Sequence, residues 1–321
     1  MQATSIFEPV RESLSNVEYN LKDMAKQKFP FLSELLHHVF DSEGKRLRPA
    51  ITLLAAGFHP HENKHPEIMA TAVEMLHMAT LIHDDTVDDS DVRRGRATVG
   101  SIWGPNAAVL IGDYIFAASA TWVCDTGNVR VIRRFAETIM ELSSGELQEL
   151  TDTFNPDQVM DNYLMRIYNK TGSLFTTAGE TGAILSGAPE QSVQALKDYG
   201  YSLGMAFQIV DDILDLEGDE SQIGKPVGSD LLNGVLTLPS ILAMQQHPAD
   251  VRIREFFENP KDTALLNRSI EVIRNSTVIE QSYQKAAYYR DQALEKLVGL
   301  ENNPSRQSLE TLALYVLDRD H

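Results

Sequence analysis

Two stretches of the chain are apolar on nearly every side of a helical wheel, and this limits the folds open to it more than any other feature. In Pro66 to Ile82 the positions Ile68, Met69, Ala72, Val73, Met75, Leu76, Ala79, Leu81 and Ile82 leave no wide polar face, and Tyr199 to Leu216 reads the same way. A helix of this kind is one surrounded by others. The sequence supplies the neighbours: Ile6 to Ala25, Val131 to Leu150 and Val278 to Leu297 mix apolar and charged residues at helical spacing. Alternating β-branched runs between turn signals are scarce, so few strands are expected. Breaks are expected at His59 to Pro66, Asn155-Pro156, Gly187-Ala188-Pro189, Glu217 to Gly228, His247-Pro248, Asn259-Pro260 and Asn302 to Pro304. None reads as an interdomain linker, and no repeat of solenoid period is present. The length of 321 residues would allow two domains, but the pattern predicts one all-α domain over residues 1–321.

Lys and Arg number 28 against 46 Asp and Glu, a formal net charge of −18. That balance argues against nucleic acid or an anionic membrane as partner, because both attract positive faces. The single cysteine, Cys124, excludes an intrachain disulfide and a thiolate metal site and fits a reducing compartment. Residues Met1 to Leu14 lack the basic-then-apolar layout of a signal peptide. The most apolar stretch, Ala107 to Val123, is shorter than the roughly 20 residues of a membrane helix and contains Asp113. The expectation is a soluble, cytoplasmic protein with no stable membrane anchor.

Directly after the first apolar helix comes Asp84-Asp85-Thr86-Val87-Asp88-Asp89-Ser90-Asp91, five carboxylates in eight residues. Four residues apart, Asp84 and Asp88 share one helix face about one turn from each other. Asp211-Asp212-Ile213-Leu214-Asp215 repeats the arrangement at the end of the second apolar helix. Either cluster alone also reads as a solvated, acidic helix end. Like charges at this spacing, however, destabilise a helix by a few tenths of a kcal/mol, and acidic residues in a last turn oppose the helix dipole. Two such clusters beside the two most apolar helices point to bound cations. Oxygen ligands suit a hard ion, and Mg2+ in particular is held by one or two carboxylates with waters and substrate phosphates. If the two helices face each other, the pairs grip magnesium from both sides and leave room for a diphosphate.

Cations for that diphosphate stand in short motifs. Gly44-Lys45-Arg46-Leu47-Arg48-Pro49 opens a helix with three basic residues, and Arg93-Arg94-Gly95-Arg96 follows the first acidic cluster. Arginine forks and lysine point charges both suit phosphate oxygens, although either run taken singly reads as solvated surface. Lys170-Thr171-Gly172 and Gly224-Lys225-Pro226 each set a lysine beside a glycine in an expected loop, without the Walker pattern.

In order along the chain, Gly44 to Pro49, His83-Asp84-Asp85-Thr86-Val87-Asp88, Arg93-Arg94-Gly95, Gly112-Asp113, Lys170-Thr171-Gly172, Phe207-Gln208-Ile209-Val210-Asp211-Asp212-Ile213-Leu214-Asp215 and Gly224-Lys225-Pro226 resemble the trans-isoprenyl diphosphate synthases. Within that family the likeness is to the medium- and long-chain type, such as octaprenyl or solanesyl diphosphate synthase. The resemblance implies an isoprenoid synthase-type helical bundle around a central cavity, a homodimer, and Mg2+ as cofactor. It also implies the chemistry. The C–O bond of an allylic diphosphate, such as farnesyl or geranylgeranyl diphosphate, ionises; the double bond of isopentenyl diphosphate attacks the allylic cation; a proton is lost. No Ser, Cys or His nucleophile is needed.

By the same resemblance Asp84, Asp88, Asp211 and Asp215 hold magnesium, with Asp85 and Asp212, about 100° away on their helices, as supports. Arg93, Lys170 and Lys225 contact the allylic diphosphate, and Thr171 is a further substrate-binding residue. Lys45, Arg48, His77 and Arg94 hold isopentenyl diphosphate, with Phe207 and Gln208 nearby. Asp84, Asp88, Asp211, Lys170 and Lys225 make up the catalytic set. There are departures from the family pattern. Gly234-Val235 stands before Thr237-Leu238-Pro239 where relatives carry Gly-Lys, so one cation is missing; Glu149, near Glu146, stands where many have Gln and reads as a further metal or supporting carboxylate; Ala97 replaces a usual Pro.

The resemblance further implies that the growing chain runs down the helix from the metal end, with residues one and two turns before Asp84 as a ruler. Ala79 and Thr80 lie about 6–7.5 Å below Asp84 at 1.5 Å per residue. Short-chain members carry an aromatic there, and here both side chains are small. Ala79 either packs against a neighbouring helix or lines an open tunnel. The second reading implies a long product, hexaprenyl to decaprenyl and centred on octaprenyl or nonaprenyl, with Leu76, Met75, Phe116, Ser119 and Trp122 as candidates for a deeper floor.

Rival readings remain. A short-chain farnesyl or geranylgeranyl diphosphate synthase would share every motif. Glu34-x-x-His37 and Glu74-x-x-His77 match the loose signature of di-iron bundles, which would need two more inward glutamates and no use for the aspartate pairs. A terpene cyclase has no second diphosphate for Lys45, Arg48 and Arg94 to hold. A non-catalytic subunit usually lacks one of the two aspartate motifs.

Overall fold

The computed structural model describes residues 6–42, 44–61, 64–93, 95–218 and 227–318. Among these the regular structure is helical, apart from one two-stranded antiparallel ribbon of β1 (Val92–Arg93) and β2 (Arg96–Ala97), paired Val92 to Ala97 and Arg93 to Arg96. The expectation of an all-α fold with few strands holds.

The chain divides into two compact units. The first takes in the residues up to Glu137, 174–200 and 299–311. It holds α1 (Arg11–Met24), α2 (Pro30–Phe40), α3 (Leu47–Ala56), α4 (His65–Val87), α5 (Val99–Trp103) and α6 (Pro105–Asp125). At its centre is α4, packed most extensively against α6 and then against α3 and α1. Its residues Met69, Ala70, Ala72, Val73, Met75, Leu76 and Ala79 are fully buried, as the absence of a polar face predicts. Pro66 lies in the first turn of α4, where a missing N–H breaks no helical bond. Gly112 of α6 permits the close approach to α4, because a Cβ there would collide with the His83 ring.

The second unit takes in residues 138–173, 201–298 and the chain from Leu312. Between α7 (Val129–Asp152) and α9 (Ser173–Leu185) lies α8 (Met160–Ile167), joined to α9 by a π-helical turn over Tyr168–Gly172. After α10 (Glu190–Glu217) come α11 (Ser229–Leu232), α12 (Leu238–Gln246), α13 (Arg252–Glu258), α14 (Thr263–Arg274), α15 (Val278–Leu297) and α16 (Pro304–Asp318). Helices α7, α9, α10 and α16 contribute residues to both units, α9 only its first residue, Ser173, to the second.

Several boundaries differ from expectation. The first helix begins at Arg11, because Pro9 sits in a 3-10 turn over Glu8–Val10. Helix α10 begins at Glu190, well before Tyr199. Its opening turns carry Glu190, Gln194, Lys197 and Asp198, so the apolar pattern appears only later along it. Lys170 and Thr171 lie in the π turn, not in a loop. Helix α6 runs two residues past each end of the apolar stretch. At 21 residues and mean hydropathy 1.5 it is long and apolar enough to cross a membrane, with a third of its apolar window buried.

Candidate active site

Each unit carries one aspartate motif at a helix end. In the first unit α4 closes on Asp88, whose N–H donates to the Asp84 carbonyl at 2.8 Å, so both carboxylates hang from the last turn. Asp84 is half-buried and Asp88 exposed. Asp85 points elsewhere and accepts a 2.6 Å hydrogen bond from Arg93 Nε. Arg93 is presented by the β1–β2 ribbon, whose turn includes Gly95 at φ 74°, a left-handed conformation suited to glycine. Arg94 lies outside the described residues. His83, next to Asp84, stacks on Phe116 and has Nε2 3.6 Å from Asp113.

Lys45 lies two residues before α3 and Arg48 in its first turn. Arg48 Nη1 is 3.2 Å from His77 Nε2, and its guanidinium lies 4.7 Å from the centre of the Phe175 ring. The structure therefore brings together two of the residues expected on isopentenyl diphosphate, Arg48 and His77. The third base of that motif, Arg46, turns to Glu18 and Glu74 instead. This also bears on the di-iron reading: the Glu74 carboxylate is taken by a guanidinium, and Glu34 and His37 are exposed.

In the second unit Asp211 is exposed near the end of α10, whereas Asp212 is buried. Tyr163 Oη donates to Asp212 Oδ2 at 2.7 Å and Gln208 Nε2 to its Oδ1 at 2.8 Å. Burial pushes the Asp212 carboxyl up to about 7 against the pull of these two bonds. Gln208 is held at its other end by Thr171 Oγ1, 2.7 Å away, so Thr171, Gln208, Asp212 and Tyr163 form one hydrogen-bonded chain. Phe207 is half-buried beside it. Asp215 accepts from Ser229 Oγ at 2.5 Å and from the Asp230 N–H at 3.2 Å. Asp230 is itself pushed well up, by burial first and then by the charges of Asp215, Asp212, Glu149 and Asp211.

Lys170 projects from the π turn, a helix irregularity found often at functional sites. Its ammonium pairs with Glu149 and lies 3.1 Å from Glu146. Gly145 makes room for the lysine stem, since a Cβ there would come 2.8 Å from Lys170 Cγ. Arg166, almost fully buried, donates to Gln158 Oε1 at 2.8 Å and to the Leu236 carbonyl, with Glu149 Oε2 3.7 Å away. Glu149, expected as a metal or supporting carboxylate, is thus the shared counter-ion of Lys170 and Arg166. Lys225 lies outside the described residues. Val235, where a lysine was expected by the family pattern, donates its N–H to the Asp230 carbonyl at 2.8 Å.

The sequence reading passes over Tyr163, Arg166, Gly145, Ser229 and Asp230. Ser229 and Asp230 follow Gly224-Lys225-Pro226 closely enough to be reached by extending that motif. Tyr163 carries no local signal, because its partner Asp212 stands 49 positions away, and Arg166 reaches the Leu236 carbonyl across 70.

Of the chain-length candidates, Ala79, Leu76, Met75 and Ser119 are fully buried. Thr80, Phe116 and Trp122 are half-buried, and Thr80 Oγ1 donates to the His77 carbonyl at 2.8 Å.

The donor chemistry fits Mg2+. Each motif offers carboxylate oxygens only, and among the described residues no group of three or more His, Cys, Asp or Glu is gathered as a ready cage. An ion held by one or two carboxylates, with waters and phosphate oxygens completing the shell, needs no such cage.

A family model of polyprenyl synthetase matches residues 29–273. Heptaprenyl diphosphate synthase component 2 of Geobacillus stearothermophilus is 38% identical over 321 residues, covering 100% of both chains. The crystal structure of heptaprenyl diphosphate synthase from Staphylococcus aureus superposes with a TM-score of 0.94 at 34% identity, covering 97% of this chain and 99% of that one. A polyprenyl synthase from Caulobacter crescentus, complexed with calcium and isoprenyl diphosphate, gives a TM-score of 0.93 at 31% identity, covering 100% of this chain and 98% of its own.

Proposed function

Because the chain belongs to the polyprenyl synthetase family, we propose that it is a trans-prenyltransferase that condenses an allylic diphosphate with isopentenyl diphosphate and releases diphosphate. The product is an all-trans polyprenyl diphosphate in the hexaprenyl to decaprenyl range. One observation carries this reading: the second carboxylate of each aspartate motif anchors it to the fold. Asp85 is held by Arg93, and Asp212 by Tyr163 and Gln208, at the helix ends that also carry the exposed Asp88 and Asp211. A merely solvated acidic helix end needs no such anchor.

Asp84, Asp88 and Asp211 would hold Mg2+, and Asp215 would join by exchanging its bond from Ser229. When bound, the metal supplies positive charge that favours accumulation of negative charge on a departing diphosphate. Arg93, Lys170 and Lys225 orient the allylic diphosphate, each as a cation for phosphate oxygens. Lys170 and Arg93 already pair with carboxylates, so they are held near their working positions and must exchange those partners for phosphate. Lys45, Arg48, His77 and Arg94 bind isopentenyl diphosphate, and the Thr171–Gln208–Asp212 chain fixes the α10 side chains around Asp211. The bonds balance as one C–O broken, one C–C formed, and one proton passed to the departing diphosphate.

The whole chain acts as one catalytic unit in this proposal, supported by full-length coverage of the Geobacillus relative. A homodimer is supported by α6, an apolar helix only a third buried in one chain, with Val109 and Leu110 exposed. A cytoplasmic location is supported by the lone Cys124. Asp84→Ala and Asp211→Ala should each lower turnover by several orders of magnitude while the circular dichroism spectrum stays helical. Near-wild-type turnover in either variant would refute the metal assignment.

A further inference from the structure

The Glu74-x-x-His77 pair has no metal to bind in this account, yet α4 directs both side chains at the start of α3. His77 meets Arg48, and one turn earlier Glu74 Oε1 accepts from Arg46 Nη1 at 2.7 Å. Arg46 is held on two further sides, by Glu18 Oε1 of α1 at 2.5 Å from Nε and by the Ser42 carbonyl at 3.2 Å from Nη2. Its side chain is 11% exposed and that of Glu74 5%. The Arg46 backbone is left-handed, at φ 49° and ψ 37°, a strained conformation for a residue with a Cβ. That turn separates Lys45 from Arg48.

Holding α3 in the fold does not require this clamp. Residues Pro49 to Ala56 are all buried, and an apolar pair commonly replaces a buried ion pair without loss of stability. What the ion pair adds is orientation: a planar guanidinium fixed by three acceptors sets the direction of the chain on either side of it. Small displacements of substrate-positioning groups cost much of their effect.

We propose that Arg46, clamped by Glu74 and Glu18, is a positioning residue that sets the left-handed turn before α3 and thereby aims Lys45 and Arg48 at isopentenyl diphosphate. This rests on the reading of Lys45 and Arg48 given above. Arg46→Met alone leaves Glu74 buried without its partner and risks unfolding, so the informative variant is the double substitution Arg46→Met with Glu74→Gln, which removes both charges. Steady-state kinetics against each substrate should show KM for isopentenyl diphosphate raised about tenfold, with KM for the allylic diphosphate and kcat within about twofold of wild type. Arg48→Ala serves as the reference and should raise the same KM. A folded double variant with unchanged KM for isopentenyl diphosphate, beside a raised value in Arg48→Ala, overturns the positioning role alone. An unchanged value in Arg48→Ala overturns the substrate reading and the inference with it. A double variant that fails to fold assigns the ion pair to stability and overturns the inference too.

Discussion

A tyrosine introduced at Thr80 and one introduced at Ala79 should have different effects, although the two positions are neighbours. At 100° per residue Thr80 is rotated about 40° from Asp84 and lies about 6 Å below it along α4, whereas Ala79 is rotated about 140° and lies about 7.5 Å below. Burial follows the same division: Ala79 is 0% exposed and Thr80 half-buried. A ring at Thr80 therefore enters the space under the Asp84 face, where the growing chain is proposed to run. The product of Thr80→Tyr should shorten to farnesyl or geranylgeranyl diphosphate. A ring at Ala79 has no such space, and overpacking of this kind costs about 1–3 kcal/mol. Each kcal/mol lowers Tm by about 2–4 °C in a chain of this order of size. Ala79→Tyr should thus lose several degrees of Tm with little change in product length, so that of the two expected ruler positions Thr80 keeps the role and Ala79 takes the packing one. The assay is chromatography of dephosphorylated, labelled products at saturating isopentenyl diphosphate, beside a thermal melt. A folded Thr80→Tyr that still makes the wild-type product would refute the reasoning. Shortening by a stable Ala79→Tyr would move the ruler to the other face of α4.

Two further outcomes can be checked directly. Burial raises Asp212 from 3.8 to about 7, so between those values the native state holds a proton that the unfolded chain has released. The stabilising contribution is complete below about 3.8 and is lost as pH rises through about 7. With metal chelated, wild-type Tm should fall over that range relative to Asp212→Asn, and parallel profiles would count against it. At Lys170, Glu149→Gln removes one of two carboxylates that compete with phosphate for the ammonium. KM for the allylic diphosphate should drop severalfold; a rise would mean that Glu149 supports binding.

What the sequence made legible was periodic or local. The apolar wheel of Pro66 to Ile82 marks α4 as central, and the i, i+4 spacing of Asp84 and Asp88 sets both on its last turn. The resemblance extended this to the basic motifs. It assigned Lys45 and Arg48 of the first basic motif to substrate and gave Arg46 no role. The partners of Arg46 were not legible, because Glu18 and Glu74 come from helices distant in sequence. Tyr163 and Asp212 are likewise joined across 49 positions. The π turn at Lys170 was unreadable for another reason: its one extra residue per turn leaves no mark on composition.

The length of what the protein makes from farnesyl diphosphate, labelled isopentenyl diphosphate and Mg2+ decides whether it is a long-chain synthase. Successive chain elongation to an all-trans product between hexaprenyl and decaprenyl diphosphate, abolished by EDTA, is expected. A cyclised hydrocarbon, a product that stops at geranylgeranyl diphosphate, or no incorporation of label would contradict it.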